Sequence, residues 1–266
     1  MKRQGIKERG RLRTMLSVDI RRILHTKLIP IMAGISFLMP ILILVMTSMM
    51  DGSVSVDPNT GAETVIEGFE SVFEIIGTVS GTEAGEVSAL SAMCNINLLY
   101  FLISVTVCLF VARDFQSGYV KHLFAVRPRR WDYVLSKTLT GTAYGVVFLL
   151  LFFLGALLGG AVASVPFTLV GTSVVHVAFC LLAKLMLVPL FVGIGVCASV
   201  FAREKSWLSV LLSLAVGMLL FMAVPQLTPL NAELTQVVIC LLLGASLALG
   251  FGFAGTLLLE KTDILK

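Results

Sequence analysis

The stretch LIPIMAGISFLMPILILVMTSMM, Leu28 to Met50, is long, apolar and free of charged side chains. A bilayer hydrocarbon core about 30 Å thick needs roughly 20 apolar residues in a helix that rises about 1.5 Å per residue. Inside a bilayer such a helix also satisfies every backbone hydrogen-bonding group within the segment. The stretch therefore predicts a membrane-spanning helix.

Five further apolar runs follow it, and the whole chain has the composition of a membrane protein. Of its 266 residues 57% are hydrophobic and 14% are charged, and the mean hydropathy is +0.97. These values predict an all-α membrane protein whose residues 1–266 form one transmembrane domain of six helices. The predicted spans are about 28–50, 89–112, 138–165, 176–202, 206–225 and 234–259.

Positive charge is confined to alternate connections between these runs. Nineteen of the twenty Lys and Arg residues lie before the first run, in the loop 113–137, after the fourth run and in the C-terminal tail. The outer loop 51–88 and the two other outer connections contain none. The positive-inside rule therefore predicts a multi-pass cell-membrane protein with cytoplasmic N- and C-termini. The net charge of +4 averages two opposite faces and indicates no nucleic-acid partner.

The segment MLSVDIRRILHTK, which precedes the first run, has the pattern of an amphipathic helix. Its apolar positions recur at helical spacing and are Leu16, Ile20, Ile23 and Leu24. We expect this helix to lie in the cytoplasmic interface, with Asp19 and Arg22 facing away from its apolar side. A basic juxtamembrane segment that only enforces topology and attracts anionic lipid is the alternative.

The outer loop also contains a helical pattern, in VIEGFESVFEII at residues 65–76. One face collects the apolar side chains Ile66, Phe69, Phe73 and Ile76. The pattern predicts a short external helix that rests on the membrane or on the other spans.

The cytoplasmic loop 113–137 is basic and aromatic, and FQSGYVKHLF within it predicts an amphipathic helix of two to three turns. The break at Pro128 follows because the residue before a proline is displaced from helical conformation. A simple connection would be shorter, and exposed aromatic residues beside Arg and Lys are typical of docking surfaces. The loop therefore indicates a docked partner, with a basic lipid-facing segment as the alternative.

The interfacial helix, the six runs and this loop together resemble the permease subunit of ABC transporters of the type 2 exporter family. The matching loop positions include Arg129, Arg130 and Lys137, and Asp114 stands where the family more often has Glu. The resemblance implies that 114–124 is a coupling helix seated on an ATPase. The implied ATPase-coupling residues are Asp114, Phe115, Gln116, Gly118, Tyr119, Lys121, Leu123, Phe124 and Arg127.

The resemblance also implies two protein partners, a cytoplasmic ABC ATPase subunit and a second six-span half in a homodimer or heterodimer. The sequence has no G-x-x-x-x-G-K-[ST] motif, so we expect ATP and Mg to be bound by the partner and this chain to hold no cofactor and catalyse no reaction. An ion-coupled secondary transporter or channel is the alternative. None of the six runs contains Asp or Glu to carry the coupling ion, which disfavours it.

Within the apolar runs the conspicuous polar residues are Asn95, Asn97 and Lys184, which are candidate cargo contacts. The apolar spans favour a hydrophobic or amphipathic cargo, such as a drug, an antimicrobial peptide or a lipid-like molecule. Helix length places Lys184 near the outer edge of the core, where we expect its stem to snorkel to the headgroups. Contact with cargo or with the acidic outer loop is the alternative.

Glycines recur within the runs at spacings that suit close packing of helices. Gly155 and Gly159 form a G-x-x-x-G pair, and the last run contains Gly244 and GFGFAG at 250–255. The latter resembles a nucleotide-binding motif, but it lacks the preceding strand that such a site needs. We expect all of these glycines to permit helix contact.

Overall fold

The computed structural model of the chain describes residues 14–23, 25–56, 63–65, 68–79, 94–126, 129–169, 172–203 and 205–261. These residues are mainly helical, which confirms the predicted all-α class. The helices are α1 (14–23), α2 (Leu28–Met50), α3 (Leu98–Gln116), α4 (Tyr119–Val126), α5 (Arg130–Ala163), α6 (Val174–Ala202), α7 (Ser206–Phe221), α8 (Val224–Leu227) and α9 (Leu234–Lys261). A two-stranded antiparallel sheet pairs β1 (Val54–Val56) with β2 (Glu63–Val65), and a single 3-10 turn spans Val72–Ile75.

Five of the described helices are long and apolar enough to cross a membrane, namely α2, α3, α5, α6 and α9. The helix α7 is apolar but has only 16 residues, which is a length of about 24 Å. It is followed by a turn and the four-residue helix α8. The chain is therefore a membrane-embedded helical protein, and a count of six spans stays a prediction.

The bounds of most helices agree with the apolar runs, but α3 and α5 differ. The helix α3 begins at Leu98 rather than near residue 89, because Asn95 Oδ1 accepts a hydrogen bond from the backbone N–H of Asn97 at 3.0 Å. Such a local bond competes with the helix. The helix α5 begins at Arg130, eight residues before the predicted 138, and the added turns include the buried polar residues Ser136 and Lys137.

Glycines bring helices into close contact, as the sequence predicts. A Cβ atom on Gly155 would clash with the carbonyl oxygen of Phe37, and one on Gly159 would lie 2.8 Å from the Cα of Ile41, so α5 lies directly on α2. Gly244 brings α9 equally close to the backbone of α6. Gly250 is different, because a Cβ there would meet no atom within 4 Å. The packing prediction is wrong for this glycine.

The centre of the bundle is formed by α3 and α6, whose apolar segments are the most buried. Tyr100 stacks on Phe191 with ring centroids 4.4 Å apart. Ser104 also shares a 2.6 Å hydrogen bond with Ser213 of α7. Small polar side chains of this kind join helices in an apolar surrounding.

The two ends of the bundle differ in charge, and we name them the basic end and the acidic end. The basic end contains α1, α4, the start of α5 and the end of α9, and Arg130 donates a hydrogen bond there to the carbonyl of Leu259. The acidic end contains the connections that follow α2, α5 and α7. Leu230 donates to the carbonyl of Thr78 at 2.8 Å at this end.

The predicted external helix over 65–76 is wrong in its extent. Residue 65 belongs to β2. Among the described residues of 65–76, the helical part is a single 3-10 turn at Val72–Ile75. Ile66 lies outside the described residues. Val72, Ile75 and Ile76 are fully buried, so the segment inserts into the acidic end instead of resting on its surface.

Candidate functional site

The predicted coupling helix is divided between two helices. Asp114, Phe115 and Gln116 form the last turn of α3, and α4 begins only at Tyr119. Between them Gly118 has a φ of +70°, a conformation that glycine adopts readily and other residues disfavour. The two-turn helix α4 can therefore change direction and lie across the basic end.

The inner face of α4 is packed on its own bundle. Phe115, Val120 and Phe124 are buried, and the ring of Tyr133 in α5 makes edge contacts with Phe115 and Phe124 at centroid distances of 6.5 and 5.8 Å. Tyr119 and Leu123 are half-buried. The expectation that Phe115 and Phe124 are offered to a partner is therefore wrong, because Phe124 of α4 and Phe115 at the end of α3 both pack against Tyr133 of this chain.

The outer face of α4 and the turn before it are exposed. The exposed side chains at this surface are polar or small and are Arg113, Gln116, Ser117, Lys121, His122 and Ala125. Arg127, the last of the implied coupling residues, lies outside the described residues. A partner that docks on α4 would therefore meet a basic and polar surface.

Beneath α4 lies a group of four charged side chains, which we name the buried ion cluster: Asp19, Arg22, Asp114 and Lys137. Lys137 Nζ is 2.6 Å from Asp19 Oδ1 and 2.7 Å from Asp114 Oδ2. Arg22 Nη2 is 2.7 Å from Asp114 Oδ1. Asp114 and Lys137 are at most 1% exposed and Asp19 is 3% exposed, whereas the Arg22 side chain, at the edge of the cluster, is 34% exposed. Two acids and two bases make the cluster neutral, which is the condition under which buried charges are tolerated.

Polar and aromatic side chains complete the cluster. Ser136 Oγ donates to Asp19 Oδ2 at 2.7 Å, and the Tyr133 hydroxyl donates to Asp114 Oδ2 at 3.3 Å. Lys137 Nζ also lies 4.2 Å from the centre of the Phe110 ring, where the face of an aromatic ring attracts a cation. The Ser136 bond satisfies the second carboxylate oxygen of Asp19, and the Tyr133 bond adds to the contact that Asp114 Oδ2 already makes with Lys137.

Arg22 connects the cluster to α4 itself. Its guanidinium carbon is 4.4 Å from the centre of the Tyr119 ring, at the start of α4. Partial burial lowers the pKa of Arg22, but the charge of Asp114 and its hydrogen bond raise the pKa by more. The net effect is a pKa above the ordinary value for arginine, so Arg22 remains a permanent cation in this contact.

The cluster joins three helices that are far apart in the sequence, namely α1, α3 and α5. The expectation that Asp19 and Arg22 face away from the packed side of α1 is wrong. Both are turned to the bundle because Lys137 and Asp114 provide the opposite charges, while Ile20 is 43% exposed. A lone Asp within a basic helix was the signal in the sequence for this contact.

A second polar cluster lies towards the acidic end and is centred on Lys184, which is fully buried in α6. Lys184 Nζ donates to Asn97 Oδ1 at 2.7 Å and to Thr228 Oγ1 at 2.8 Å. The prediction that Lys184 snorkels to the headgroups is wrong, because these acceptors hold its ammonium inside the bundle. Asn95 is buried beside the cluster and bonds to the backbone of Asn97.

No protein-family model, functionally characterised protein or solved structure matches this chain. The resemblance to type 2 exporter permeases therefore depends on the loop residues and the arrangement of apolar runs alone. The two polar clusters and α4 are the features of the described structure that bear on function.

Proposed function

We propose that this chain is the membrane-spanning subunit of an ATP-driven exporter and that α4 is the helix on which a separate ATPase subunit docks. The main support for the proposal is that α4 is packed against the bundle on one face and exposed on the other. Its inner face is fixed by buried aromatic side chains, while Lys121 and His122 on its outer face are exposed. A short helix that is exposed on one side and rigidly held on the other suits the transfer of motion from a partner.

The buried ion cluster connects α4 to the helices of the bundle, so a movement of α4 would affect them. Arg22 contacts both Tyr119 in α4 and Asp114 in α3, and Lys137 connects Asp114 to α1. Protein interiors are close-packed, so a displaced element shifts its neighbours. A push on α4 is therefore passed to α1, α3 and α5 together.

The remaining features of the proposal come from the sequence. We place the basic end in the cytoplasm of a cell-membrane protein, in keeping with the positive-inside rule. ATP and Mg would be bound by the ATPase, in keeping with the lack of a G-x-x-x-x-G-K-[ST] motif in the sequence. A second copy or a related chain would complete the permease, and α7 with α8 would provide the sixth span.

A groove between α3 and α7 supports an apolar or amphipathic cargo. Its volume is about 410 Å³, and it opens at the side of the bundle near the start of α7. The lining is almost entirely apolar and consists of Leu109, Ser206, Trp207, Val210, Leu211 and Leu214. Ligand pockets with few polar groups favour hydrophobic molecules such as drugs, lipid-like molecules or apolar peptides.

An ion-coupled secondary transporter or channel is the second candidate. The observation that favours it is the burial of Lys184 within a candidate span, because ionisable residues inside membranes often mark ion or substrate pathways. Transport by vesicles that contain this chain and no ATPase would establish this alternative.

The proposal is tested by reversing the charge on the exposed face of α4. We expect Lys121→Glu combined with His122→Glu to remove most of the ATP hydrolysis that co-purifies with the full-length chain from its native membrane. Lys261→Glu, which changes an exposed lysine at the end of α9, is the matched control and should retain that hydrolysis. Equal ATP hydrolysis in all three preparations would exclude α4 as the docking helix.

A further inference from the structure

Residues 68–79 form a cover at the acidic end, and we name this stretch the plug segment. Its side chains Val72, Ile75 and Ile76 are fully buried, and Phe69 is 7% exposed. The segment is not part of any span, because it lies in the connection between α2 and α3. It therefore closes the end of the bundle as a separate piece of chain.

A few hydrogen bonds hold the plug segment to two other connections and to the end of its own connection. The N–H of Val72 donates to the carbonyl of Pro166, and Ser71 Oγ donates to the carbonyl of Thr168 at 2.6 Å. Pro166 and Thr168 lie in the connection after α5. The carbonyl of Ile75 accepts from Ile96 just before α3. Thr78 accepts from Leu230 in the connection after α8. Each such bond contributes only about 0.5–1.5 kcal/mol net, and the larger part of the hold comes from the buried side chains of Val72, Ile75 and Ile76. Neither contribution includes the hydrogen bonds within the helices, so the segment can leave by a local opening that keeps the helices folded.

The Lys184 cluster lies directly beneath the plug segment. A Cβ atom on Gly77 would lie 3.5 Å from Cys180 Sγ and 3.4 Å from the carbonyl oxygen of Thr228. Cys180 is one helical turn before Lys184 on the same face of α6, and Thr228 accepts a hydrogen bond from Lys184 Nζ. Removal of the plug segment would therefore uncover Cys180 and the lysine together.

Lys184 differs in its partners from Lys137, which is also buried. Lys137 is paired with two carboxylates, whereas Lys184 has two neutral oxygen acceptors and no ion pair within the part of the chain that the structure describes. A buried ammonium is stabilised when a negative charge is beside it and is unfavourable without one. The cluster therefore provides two hydrogen-bonding partners and leaves the charge itself unmatched.

We propose that Lys184, with Asn97 and Thr228, binds an anionic group of the cargo, a carboxylate or a phosphate, and that the plug segment lifts to admit or release it. The ammonium supplies the charge, and the Asn97 amide N–H groups supply additional hydrogen-bond donors. Thr228 positions the ammonium, because its hydroxyl accepts from Lys184 and donates to the carbonyl of Val224 at 2.8 Å. The Tyr100 hydroxyl holds the backbone of Lys184 through a 2.8 Å hydrogen bond to its carbonyl. That the bound anion is part of a cargo rests on the proposed exporter function, whereas the anion site and the plug segment that covers it do not.

Cys180 provides a direct test, because its thiol lies between the plug segment and Lys184. The full-length chain, with its other four cysteines replaced by serine, is assayed in membranes supplied with ATP. Two impermeant methanethiosulfonate reagents are compared, one with a sulfonate and one with a trimethylammonium group. After correction for their rates with a free thiol, we expect the sulfonate reagent to modify Cys180 about fivefold faster or more.

Substitutions of Lys184 separate a charge effect from an effect on folding. Lys184→Met should abolish the preference for the sulfonate reagent, and Lys184→Arg should retain it. Lys205→Met, at an exposed position of the basic end, should leave it unchanged. Equal rates in the parent, an unchanged preference in Lys184→Met, or no reaction of Cys180 with either reagent would overturn the proposal.

A disulfide tests the movement of the plug segment independently. The distance from a Cβ at position 77 to Cys180 Sγ suits a disulfide, so Gly77→Cys should bond to Cys180 on oxidation. Oxidation should then block export and reduction should restore it, while Gly77→Ser should be insensitive to either treatment. Export that continues with the disulfide formed would overturn the role of the plug segment.

Competitors identify the source of the negative charge. Slower labelling of Cys180 by the sulfonate reagent in the presence of oleate assigns an acidic group on an apolar chain, and slower labelling with inorganic phosphate alone assigns a free anion. The labelling result is independent of the ATPase test on α4. A charge preference at Cys180 with no effect of the α4 variants would remove the exporter function and leave the anion site in place.

Discussion

Lys137 Nζ lies 2.7 Å from Asp114 Oδ2, so the start of α5 is ion-paired to the end of α3 across the loop that carries α4. Both side chains are buried, and both ends of the loop are therefore fixed to each other in the interior. The helix α4 therefore lies in a loop whose two ends are held together by this ion pair. The following substitutions test how much this arrangement depends on the charges.

Replacement of Lys137 by methionine should destabilise the protein strongly. The change leaves Asp19 without an ion-pair partner in the described structure and leaves Asp114 with Arg22 alone. Removal of one partner from a buried pair typically costs about 3–5 kcal/mol. Thermal unfolding in detergent should show a clearly lower midpoint for Lys137→Met than for the parent protein.

Lys121→Met is the matched control, because it removes the same charge from the exposed face of α4. Its midpoint should stay close to that of the parent, since an exposed charge contributes little to stability. Equal midpoints for the two methionine variants would show that the cluster does not hold the helices together.

Replacement of Arg22 by glutamine should loosen α4 without unfolding the bundle. Arg22 contacts the Tyr119 ring and Asp114, and its raised pKa keeps it charged in both contacts. We expect faster hydrogen exchange of the amides at 119–126, because α4 loses a contact with α1. Arg21→Gln changes an exposed neighbour and should leave this exchange unaltered. Unchanged exchange in Arg22→Gln would contradict the proposed connection from α1 to α4.

Much of the fold could be predicted from the sequence, because long charge-free runs leave helices across the bilayer as the main solution. The run at 28–50 coincides with α2, and the start of α9 coincides with the predicted 234. The position of α3 could not be predicted in this way. A side-chain hydrogen bond from the N–H of Asn97 to Asn95 lies just before its start, and hydropathy does not detect such a bond.

The candidate site was only partly predictable. Helical spacing predicts one helix with Phe115 and Phe124 on its apolar face, but the two residues belong to α3 and α4 on either side of Gly118. Both are buried, and spacing does not distinguish a face that meets the chain's own helices from one that meets a partner. The ion cluster joins Asp19 to Lys137, which are 118 residues apart, so it has no local pattern. The position of Lys184 along its helix indicates its distance from the headgroups but not the acceptors on neighbouring segments, Asn97 and Thr228, that hold its ammonium.

Replacement of Gly155 by alanine should weaken the contact between α2 and α5. A Cβ atom there would clash with the backbone oxygen of Phe37 and would lie 2.8 Å from the ring of Pro40, so one helix would have to shift. Overpacking of this kind typically costs about 1–3 kcal/mol. Gly250→Ala adds the same methyl group where no atom lies within 4 Å and should not lower the thermal midpoint. A midpoint for Gly155→Ala as high as that for Gly250→Ala would contradict the close contact.

The docking of the plug segment should depend on pH through Glu74. Burial raises the pKa of Glu74 above its ordinary value, and the nearby charge of Glu70 raises it further, although the backbone N–H of Glu70 donates to Glu74 Oε2 and opposes the effect. A carboxyl group with a raised pKa in the docked state binds its proton more tightly there than in the released state. Docking is therefore favoured below the ordinary pKa of glutamate, and this gain is lost as the pH rises through the raised pKa.

Hydrogen exchange at residues 71–76, corrected for the intrinsic effect of pH, measures this dependence. We expect protection to fall as the pH rises from mildly acidic to neutral, because ionised Glu74 disfavours the docked position. Glu74→Gln should remove most of the dependence and increase protection at neutral pH, since the amide is never charged. Glu233→Gln, at an exposed position of the same end, should retain the behaviour of the parent. Protection that is independent of pH in the parent, or equally dependent in Glu74→Gln, would show that another group controls the docking.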